Sequence, residues 1–391
     1  MTQKRRISIL GSTGSIGQSA VALLSSELRD KFEVVGLTAH SNVELLIAQA
    51  NLLKAKVILC TSGELDGSKI SNLLHPGCKI LNGNGKNSIS DLLEFDCAQN
   101  GKLDVILSAI VSIHGLLPTI DAIKSCKVLA LANKESIVCG WHILKPLAKM
   151  CQTKIIPVDS EHNSLFRLLA GQSDYNLKSI SKISITASGG PFYGKKFADL
   201  SSMRTSDVAR HPVWSMGAKI SIDSATMANK GLELIEACNV FEFPENNIEV
   251  CINRESIVHG AVHFTDGTTT AFLSKPDMKC HISHAICDGD IASLSATSPN
   301  LLGLKKLEFF ELEEQSFPIF FIAKAIASDR DIAKAILFNI ANDIAVAKFM
   351  REQIKYTQIL SEIERGISKN ITSINLQSAD DIHSLFMESS N

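Results

Sequence analysis

The first 158 residues alternate short apolar runs with longer segments in which apolar residues recur every three or four positions. The short runs predict buried β-strands, and the periodic segments predict amphipathic helices. The predicted strands are ISIL (7–10), FEVVGLTA (32–39), KVILC (56–60), DVILSAIV (104–111), KVLALAN (127–133) and KIIPV (154–158). Because strands that alternate with helices form parallel sheets, residues 1–158 predict an α/β, Rossmann-like domain with a doubly wound parallel sheet.

The pattern changes after residue 158, where strand-like runs share the chain with longer helical segments. Three runs, KISITAS (182–188), NIEVCIN (247–253) and GTTTAFL (267–273), accompany a strong helix at 225–239. Residues 159–292 therefore predict an α+β domain. Residues 293–317 predict a linker, and residues 318–391, with their helical spacing, predict a C-terminal α-helical bundle.

The composition narrows the class of protein. Apolar residues make up 45% of the 391 residues and charged residues 20%, as in folded globular proteins. The formal net charge of −2 gives no reason to expect nucleic-acid binding, and no apolar run reaches the roughly 18 residues of a membrane span. The ten cysteines include no C-x-x-C pair, so we interpret them as reduced thiols in a cytoplasmic protein.

A glycine-rich turn joins the first predicted strand to the first predicted helix. Gly11, Gly14 and Gly17 are spaced by three residues, a variant of the dinucleotide-binding fingerprint. The alternative is an ordinary Gly/Ser turn, but the position at the first strand favours a nucleotide site. The second predicted strand leads into Thr38-Ala39-His40-Ser41-Asn42. This region has no acid where an NAD enzyme usually holds the ribose 2′-hydroxyl, which favours NADPH over NADH.

Two acids follow the sixth predicted strand. Asp159 and Glu161 lie where open parallel sheets bind their ligands, and Mg²⁺ and Mn²⁺ prefer carboxylate oxygens. Two acids alone also fit a solvated turn. The alternatives therefore stay open at this point.

The helix in SIDSATMANKGLELIEACNVF offers a third acid. Asn229, Lys230, Glu233 and Glu236 share one face of it, and their spacing does not decide which glutamate would be a ligand. A surface pattern of ion pairs is the commoner explanation of such a stripe. Ser224 is a predicted N-cap of this helix, and Ser188-Gly189-Gly190 predicts a phosphate-binding loop.

Two further segments invite a functional interpretation. RHPVWSMG (210–217) predicts a loop that could act as a closing flap. CHISHAIC places Cys280, His284 and Cys287 on one helical face with His281 nearby, but zinc sites usually combine two separated ligand pairs. We therefore interpret this segment, like His259, as core rather than as a site.

Seven motifs occur in a fixed order along nearly the whole chain: GSTGSIG, LANKES, PVDSEHNS, TASGGPF, HPVWSMG, KISIDSATMANKGLE and NIANDIAVAKF. Together they resemble the 1-deoxy-D-xylulose 5-phosphate reductoisomerase family. The resemblance implies a homodimeric oxidoreductase and isomerase of the non-mevalonate (MEP) isoprenoid pathway. It implies NADPH and Mg²⁺ or Mn²⁺ (Co²⁺ also serving) as cofactors, and a phosphosugar, 1-deoxy-D-xylulose 5-phosphate, as substrate for conversion to 2-C-methyl-D-erythritol 4-phosphate.

The resemblance also implies roles for individual residues, with a flexible flap at 208–218. Cofactor binding is implied for Thr13, Gly14, Ser15, Ile16, His40, Ser41, Asn42, Asn133, Glu135 and Gly217. Metal binding is implied for Asp159, Glu161 and Glu233. Substrate binding is implied for Lys134, Ser160, Glu161, Ser188, His211, Trp214, Ser224, Asn229, Lys230 and Glu233. Lys134, His211 and the three metal ligands form the implied catalytic set.

Three segments differ from the motifs usual in that family, namely residues 39–42 (AHSN), 252–256 (INRES) and 278–290. None of them contains an implied metal ligand. The implied chemistry is either a retro-aldol and aldol sequence or an α-ketol shift, followed by hydride transfer. The alternatives are a simple NADP-dependent dehydrogenase of an aldehyde and a non-catalytic nucleotide-binding regulator.

Overall fold

The computed structural model describes residues 3–62, 70–83, 88–170, 177–208, 217–295, 298–369 and 375–390. The chain forms two compact units. The first contains Met1–Asn133, His142–Asp159 and Met278–Ala296, and the second contains Lys134–Trp141, Ser160–Asp277 and Thr297–Asn391. The division of the chain at residues 158, 292 and 317 stays a prediction. In the described ranges no helix is long and apolar enough to cross a membrane.

Strands and helices are numbered in chain order over the described residues. The strands are β1 Arg5–Leu10, β2 Phe32–Ala39, β3 Val57–Cys60, β4 Lys79–Asn82, β5 Leu103–Ser108, β6 Cys126–Leu131, β7 Lys154–Pro157, β8 Ile180–Ala187, β9 Ile248–Ile252, β10 Val258–Phe264 and β11 Thr269–Leu273. The helices are α1 Ser15–Ser25, α2 Val43–Leu53, α3 Ile89–Asn100, α4 Leu116–Ser125, α5 Lys134–Cys151, α6 Ser160–Ala170, α7 Thr205–Val208, α8 Ala218–Thr226, α9 Ala228–Phe241, α10 Met278–Ile286, α11 Leu301–Leu304, α12 Pro318–Asp329, α13 Ile332–Met350, α14 Gln358–Ile367 and α15 Ala379–Ser390.

The first unit is built on a seven-stranded sheet in the order β4-β3-β2-β1-β5-β6-β7. Every strand pair in it is parallel. Strand β1 pairs with both β2 and β5, so the strand order reverses beside β1. In open α/β sheets such a reversal marks the ligand-binding edge. The predicted Rossmann-like fold with a parallel sheet is confirmed.

The second unit contains a four-stranded sheet in the order β11-β10-β8-β9. Strand β10 is antiparallel to both of its neighbours, whereas β8 and β9 are parallel. Helix α6 packs against β8, β10 and β11, and helix α9 packs against α8, α12 and β9. Strands and helices thus mix without regular alternation, which confirms the α+β prediction and the helical character of the C-terminal region.

The helix predicted at 225–239 is two helices in the structure. Met227 has φ +60°, a left-handed conformation that ends α8 and precedes α9. Ser224 therefore lies inside α8, and its predicted role as the N-cap of the following helix is wrong. The break starts α9 at Ala228, so the Asn229–Glu236 stripe occupies its first turns.

Candidate active site

The glycine turn in the first unit connects β1 to α1. Gly11 has φ +84°, and a Cβ at this position would lie 2.8 Å from the Ala109 carbonyl oxygen. A Cβ at Gly17 would lie 2.3 Å from the Gly11 carbonyl oxygen, closer than two non-bonded atoms can approach. The turn therefore requires glycine at both positions. A backbone this tight at a helix N-terminus fits a pyrophosphate group.

The residues predicted to bind the cofactor are spread over this unit and the start of α5. Thr13, Gly14, Ser15 and Ile16 form the end of the glycine turn and the first residues of α1. His40, Ser41 and Asn42 follow β2 and are exposed. The carboxyl end of β2 is where a Rossmann-like unit places the ribose of a dinucleotide, so their position fits that role.

Two neighbouring contacts fix the loop after β2. The His40 Nδ1 atom lies 3.1 Å from the Thr61 hydroxyl, and the Asn42 side chain accepts the Leu45 N–H at 3.1 Å as the N-cap of α2. Asn133 is buried and its amide donates to the Ser112 carbonyl at 2.9 Å. Contact of these side chains with a cofactor stays a prediction.

Glu135 and Gly217 belong to the second unit. Lys219 follows Gly217 by two residues in the chain and contacts Glu135 in space. The Lys219 ammonium pairs with Glu135 at 3.3 Å and with Asp223 and Asp343 at 2.9 Å each. Burial alone would lower the pKa of Lys219, but these three carboxylates raise it well above its ordinary value. Lys219 therefore stays charged and ties the start of α5 to α8 and α13.

Three carboxylates converge at the start of α6. Asp159 directly precedes this helix, Glu161 lies in its first turn, and Glu233 is on α9. One carboxylate oxygen from each of these residues lies within 4.8 Å of the others. Oxygen atoms of three carboxylates at this separation fit a hard divalent cation such as Mg²⁺ or Mn²⁺.

Two buried lysines neutralise part of this charge. The Lys134 ammonium donates to Glu233 at 2.7 Å and to the Asn229 side chain at 2.8 Å. The Lys230 ammonium donates to Glu161 at 2.7 Å and also to Glu233. Two ammonium groups against three carboxylates leave an excess of one negative charge, which agrees with a cation site. We call these five residues the carboxylate–lysine cluster.

His162 and Glu236 form a second buried pair beside this cluster. The His162 Nε2 atom lies 3.0 Å from the Glu233 carbonyl oxygen, and its Nδ1 atom lies 3.6 Å from the Glu236 carboxylate. Asp159, His162 and Glu236 also bring one possible ligand atom each within 4.8 Å. His162 is not among the residues predicted from the sequence, although it follows Glu161 directly in the PVDSEHNS motif.

The predicted phosphate loop follows β8 and contacts α8. Gly189 and Gly190 have φ +76° and +64°, and the Gly190 N–H donates to the Ser188 hydroxyl at 3.2 Å. A Cβ at Gly190 would lie 2.7 Å from the Ser224 carbonyl oxygen. The loop and Ser224 are therefore neighbours, as expected of residues that bind one group. Ser160, the first residue of α6, is buried.

Some residues singled out in the sequence are not part of the contacts described above. His211 and Trp214 fall in residues 209–216 of the predicted flap, outside the described residues. Among the residues that the structure describes, the His, Cys, Asp and Glu groups with metal-binding geometry are the two around Asp159, and neither includes Cys280 or Cys287. Arg254 and Lys219, which contact predicted site residues, were missed because nothing in their sequence spacing indicates those contacts.

Comparison with protein families places this chain clearly. The model of the 1-deoxy-D-xylulose 5-phosphate reductoisomerase family matches residues 7–140. Two models of C-terminal domains of the same reductoisomerase match residues 155–241 and 273–388. Two of these ranges, 7–140 and 155–241, together contain all residues of the carboxylate–lysine cluster.

Relatives of known name agree over nearly the full length. A 1-deoxy-D-xylulose 5-phosphate reductoisomerase of Agathobacter rectalis is 39% identical over 97% of this chain and 96% of its own. One from Wolbachia pipientis wMel is 38% identical over 98% of this chain and 96% of its own.

Solved structures of similar proteins cover the same length. The Zymomonas mobilis reductoisomerase in complex with NADPH has a TM-score of 0.86 at 30% identity, with 99% of this chain and 97% of that chain covered. A DOX-P reductoisomerase in complex with NADPH, fosmidomycin and magnesium has a TM-score of 0.88 at 31% identity, with 99% and 96% covered. The chain belongs to the 1-deoxy-D-xylulose 5-phosphate reductoisomerase family.

Proposed function

We propose that this protein is an NADPH- and divalent-metal-dependent reductoisomerase. It converts 1-deoxy-D-xylulose 5-phosphate to 2-C-methyl-D-erythritol 4-phosphate in the MEP pathway of isoprenoid synthesis. The observation that carries this proposal is the carboxylate–lysine cluster, in which three acids and two lysines from three helical segments meet. Family membership and the NADPH and magnesium bound by the structural relatives support it.

Asp159, Glu161 and Glu233 are the proposed metal ligands. A bound Mg²⁺ or Mn²⁺ polarises a carbonyl and lowers the pKa of an adjacent hydroxyl group. The protein holds two of the three carboxylates in place through the Lys230 bonds to Glu161 and Glu233 and the Lys134 bond to Glu233. Fixed ligands need no rearrangement during the reaction, which is the condition for electrostatic stabilisation of the transition state.

Lys134 is the proposed catalytic cation of the chain. Its ammonium is buried and oriented by two acceptors, Glu233 and Asn229. A buried, oriented positive charge stabilises an oxygen of the substrate on which negative charge develops. Ser160, adjacent to Glu161, is proposed to bind the polar end of the substrate. Trp214, in the proposed flap, would close over it.

The remaining implied residues divide into two sets. The phosphate and the neighbouring hydroxyl groups are proposed to bind to Ser188, His211, Ser224, Asn229 and Lys230. Because these groups lie away from the reacting carbon, their binding orients the substrate. A bound NADPH supplies the hydride for the reduction. Thr13, Gly14, Ser15, Ile16, His40, Ser41, Asn42, Asn133, Glu135 and Gly217 are proposed to hold it. We further propose that the protein is a cytoplasmic homodimer.

The proposal is tested by following NADPH absorbance with 1-deoxy-D-xylulose 5-phosphate, with and without Mg²⁺ or Mn²⁺. We expect metal-dependent NADPH oxidation and a product identified as 2-C-methyl-D-erythritol 4-phosphate by mass spectrometry and NMR. Metal-independent oxidation with simple aldehydes but not with the ketose phosphate would instead identify an ordinary NADP-dependent dehydrogenase. Light scattering tests the homodimer separately.

Mg²⁺ binding is expected to stabilise the protein against heat in the absence of substrate. A ligand that binds only the folded state stabilises it by about 2.7 kcal/mol at one hundred times its dissociation constant. For a protein of this size we expect saturating Mg²⁺ to raise Tm by about 2–5 °C in differential scanning calorimetry. Asp159→Asn should lose this shift, whereas Glu364→Gln, at an exposed position on α14, should keep it. An unchanged shift in Asp159→Asn would contradict the ligand assignment.

A further inference from the structure

Arg254 lies two residues after β9 and contacts the predicted phosphate loop directly. Its Nη1 atom donates to the Ser188 carbonyl at 2.6 Å and to the Gly190 carbonyl at 2.8 Å. One guanidinium nitrogen thus holds both ends of the Ser188–Gly190 loop. Hydrogen bonds from a charged donor are stronger than those between neutral groups.

The guanidinium is itself held in place by stacking. Its Cζ atom lies 4.9 Å from the centre of the Tyr193 ring, and the Tyr193 ring lies 5.7 Å from that of Phe310. Phe310 in turn exchanges two backbone hydrogen bonds with Ile252, at 2.8 and 2.9 Å. Ile252 is the last residue of β9 and lies two residues before Arg254. The contacts from Arg254 through Tyr193 and Phe310 therefore lead back to β9 and fix the guanidinium relative to this strand.

Asn253 adds a second restraint on the same segment. Its side-chain oxygen accepts the N–H groups of Ile257 and Val258 at 3.1 and 3.2 Å, and its backbone N–H donates to the Ala187 carbonyl at 2.8 Å. Ala187 is the last residue of β8 and directly precedes Ser188. The turn that carries Arg254 is therefore anchored to the strand that carries the loop.

The contact with Ser188 determines the direction of a backbone donor. The peptide bonds of the described chain are trans, so the carbonyl of Ser188 and the N–H of Gly189 point in opposite directions across one planar unit. Since Arg254 binds that carbonyl, the Gly189 N–H is directed to the opposite side of the loop. The Gly190 N–H donates to the Ser188 hydroxyl, which keeps that side chain against the same loop.

Without Arg254, the two glycines would leave the Ser188–Gly190 loop conformationally flexible. Gly189 and Gly190 both have positive φ, and glycine occupies positive and negative φ about equally readily. Two successive glycines can therefore rotate their peptide groups at little cost unless the carbonyls are bound. Arg254 removes that freedom before a ligand arrives.

We propose that Arg254 is a positioning residue for the phosphate group of the substrate. By binding the carbonyls of Ser188 and Gly190, it presets the loop so that its amide donor and the Ser188 hydroxyl are ready for a phosphate oxygen. This proposal rests on the proposed function, because it assigns the loop the substrate phosphate. Preorganisation of this kind increases affinity by reducing the ordering that binding requires.

The test compares the steady-state kinetics of Arg254→Met with those of the wild-type protein. We expect KM for 1-deoxy-D-xylulose 5-phosphate to rise about 10- to 100-fold, as when a hydrogen bond to a charged group is lost. We expect kcat to change by less than about threefold, because Arg254 acts on the affinity for the phosphate and not on the reacting atoms. The dissociation constant of NADPH should stay unchanged.

Arg351→Met is the matched control, because Arg351 is exposed at the end of α13, and it should leave KM unchanged. Tyr193→Leu keeps the guanidinium but removes its stacking partner, and it should raise KM about two- to fivefold, whereas Tyr193→Phe should not. If Arg254→Met does not fold, the comparison of Tyr193→Leu with Tyr193→Phe tests the proposal instead.

Two results would overturn the inference. One is an unchanged KM in folded Arg254→Met, and the other is an equal loss of kcat, NADPH affinity and substrate affinity, which indicates a general structural role. The proposed function is tested separately: a wild-type protein that does not oxidise NADPH with 1-deoxy-D-xylulose 5-phosphate would contradict it. Active wild-type protein with an unchanged KM in the variant would reject the role of Arg254 alone.

Discussion

The Glu233→Gln variant is expected to lose turnover almost completely while it keeps its affinity for NADPH. Glu233 bonds to Lys134, Lys230 and Asn229 and lies in the group with Asp159 and Glu161. Replacement by glutamine keeps the size of the side chain and removes its charge. A metal contributes several kcal/mol to catalysis, and every 1.36 kcal/mol corresponds to a factor of ten in rate. We therefore expect kcat/KM to fall by at least about 1000-fold.

Two measurements make this result specific. NADPH binding, followed by fluorescence titration, should remain within about twofold of the wild-type value, since Glu233 is assigned to the metal and not to the cofactor. The Glu364→Gln variant changes the same atoms at an exposed position of α14 and should retain full turnover. If Glu233→Gln turned over at the wild-type rate with ordinary Mg²⁺ concentrations, or lost NADPH binding, the assignment of Glu233 as a ligand would be wrong.

Sequence spacing predicts that Glu233 and Glu236 share a helix face but cannot separate their roles. The difference between the two glutamates depends on which residues from other parts of the chain contact each of them. Lys134 reaches Glu233 from a position 99 residues earlier, and His162 faces Glu236 from a helix that begins at Ser160. Helical periodicity describes one element only, so it contains no information about which residues meet that element from outside.

The strands that were missed lack the signals on which strand prediction depends. Strand β4 is an edge strand with only Leu81 buried, so it needs no apolar run. Strand β10 is central, but its VHGAVHF sequence interrupts the apolar residues with two histidines and a glycine. His259 is nevertheless buried there, 2.9 Å from the Ser274 hydroxyl. A polar residue with a hydrogen-bond partner can occupy a core position, and sequence alone does not identify that partner.

The features predicted well depend on local chemistry. The glycine turn after β1 and the acids after β7 each follow a buried strand, and the carboxyl ends of parallel strands meet at one edge of a sheet. Arg254 illustrates the opposite case. Its two acceptors, Ser188 and Gly190, are more than sixty residues away, and no local rule connects an arginine after β9 to a loop after β8.

The Gly17→Ala variant is expected to lose NADPH binding while it keeps the metal-dependent rise in Tm. A Cβ at this position would lie 2.3 Å from the Gly11 carbonyl oxygen and 2.5 Å from the Ser12 Cα atom. Both are backbone atoms, so the overlap cannot be relieved by a side-chain rotation, and α1 must move away from the turn. We expect the free energy of unfolding to fall by roughly 3 kcal/mol, as for a strongly overpacked site.

The displaced turn is the part of the protein proposed to bind the pyrophosphate, so the same strain opposes binding. Because 1.4 kcal/mol corresponds to a factor of ten in affinity, about 3 kcal/mol of strain raises the NADPH dissociation constant about 100-fold. Gly303→Ala is the control and should leave NADPH affinity unchanged, since the atoms nearest to its Cβ would belong to the flexible side chain of Asn300. The carboxylate–lysine cluster contains no residue of this turn, so Mg²⁺ should still stabilise Gly17→Ala against heat. Wild-type NADPH affinity in folded Gly17→Ala would show that the turn does not bind the cofactor.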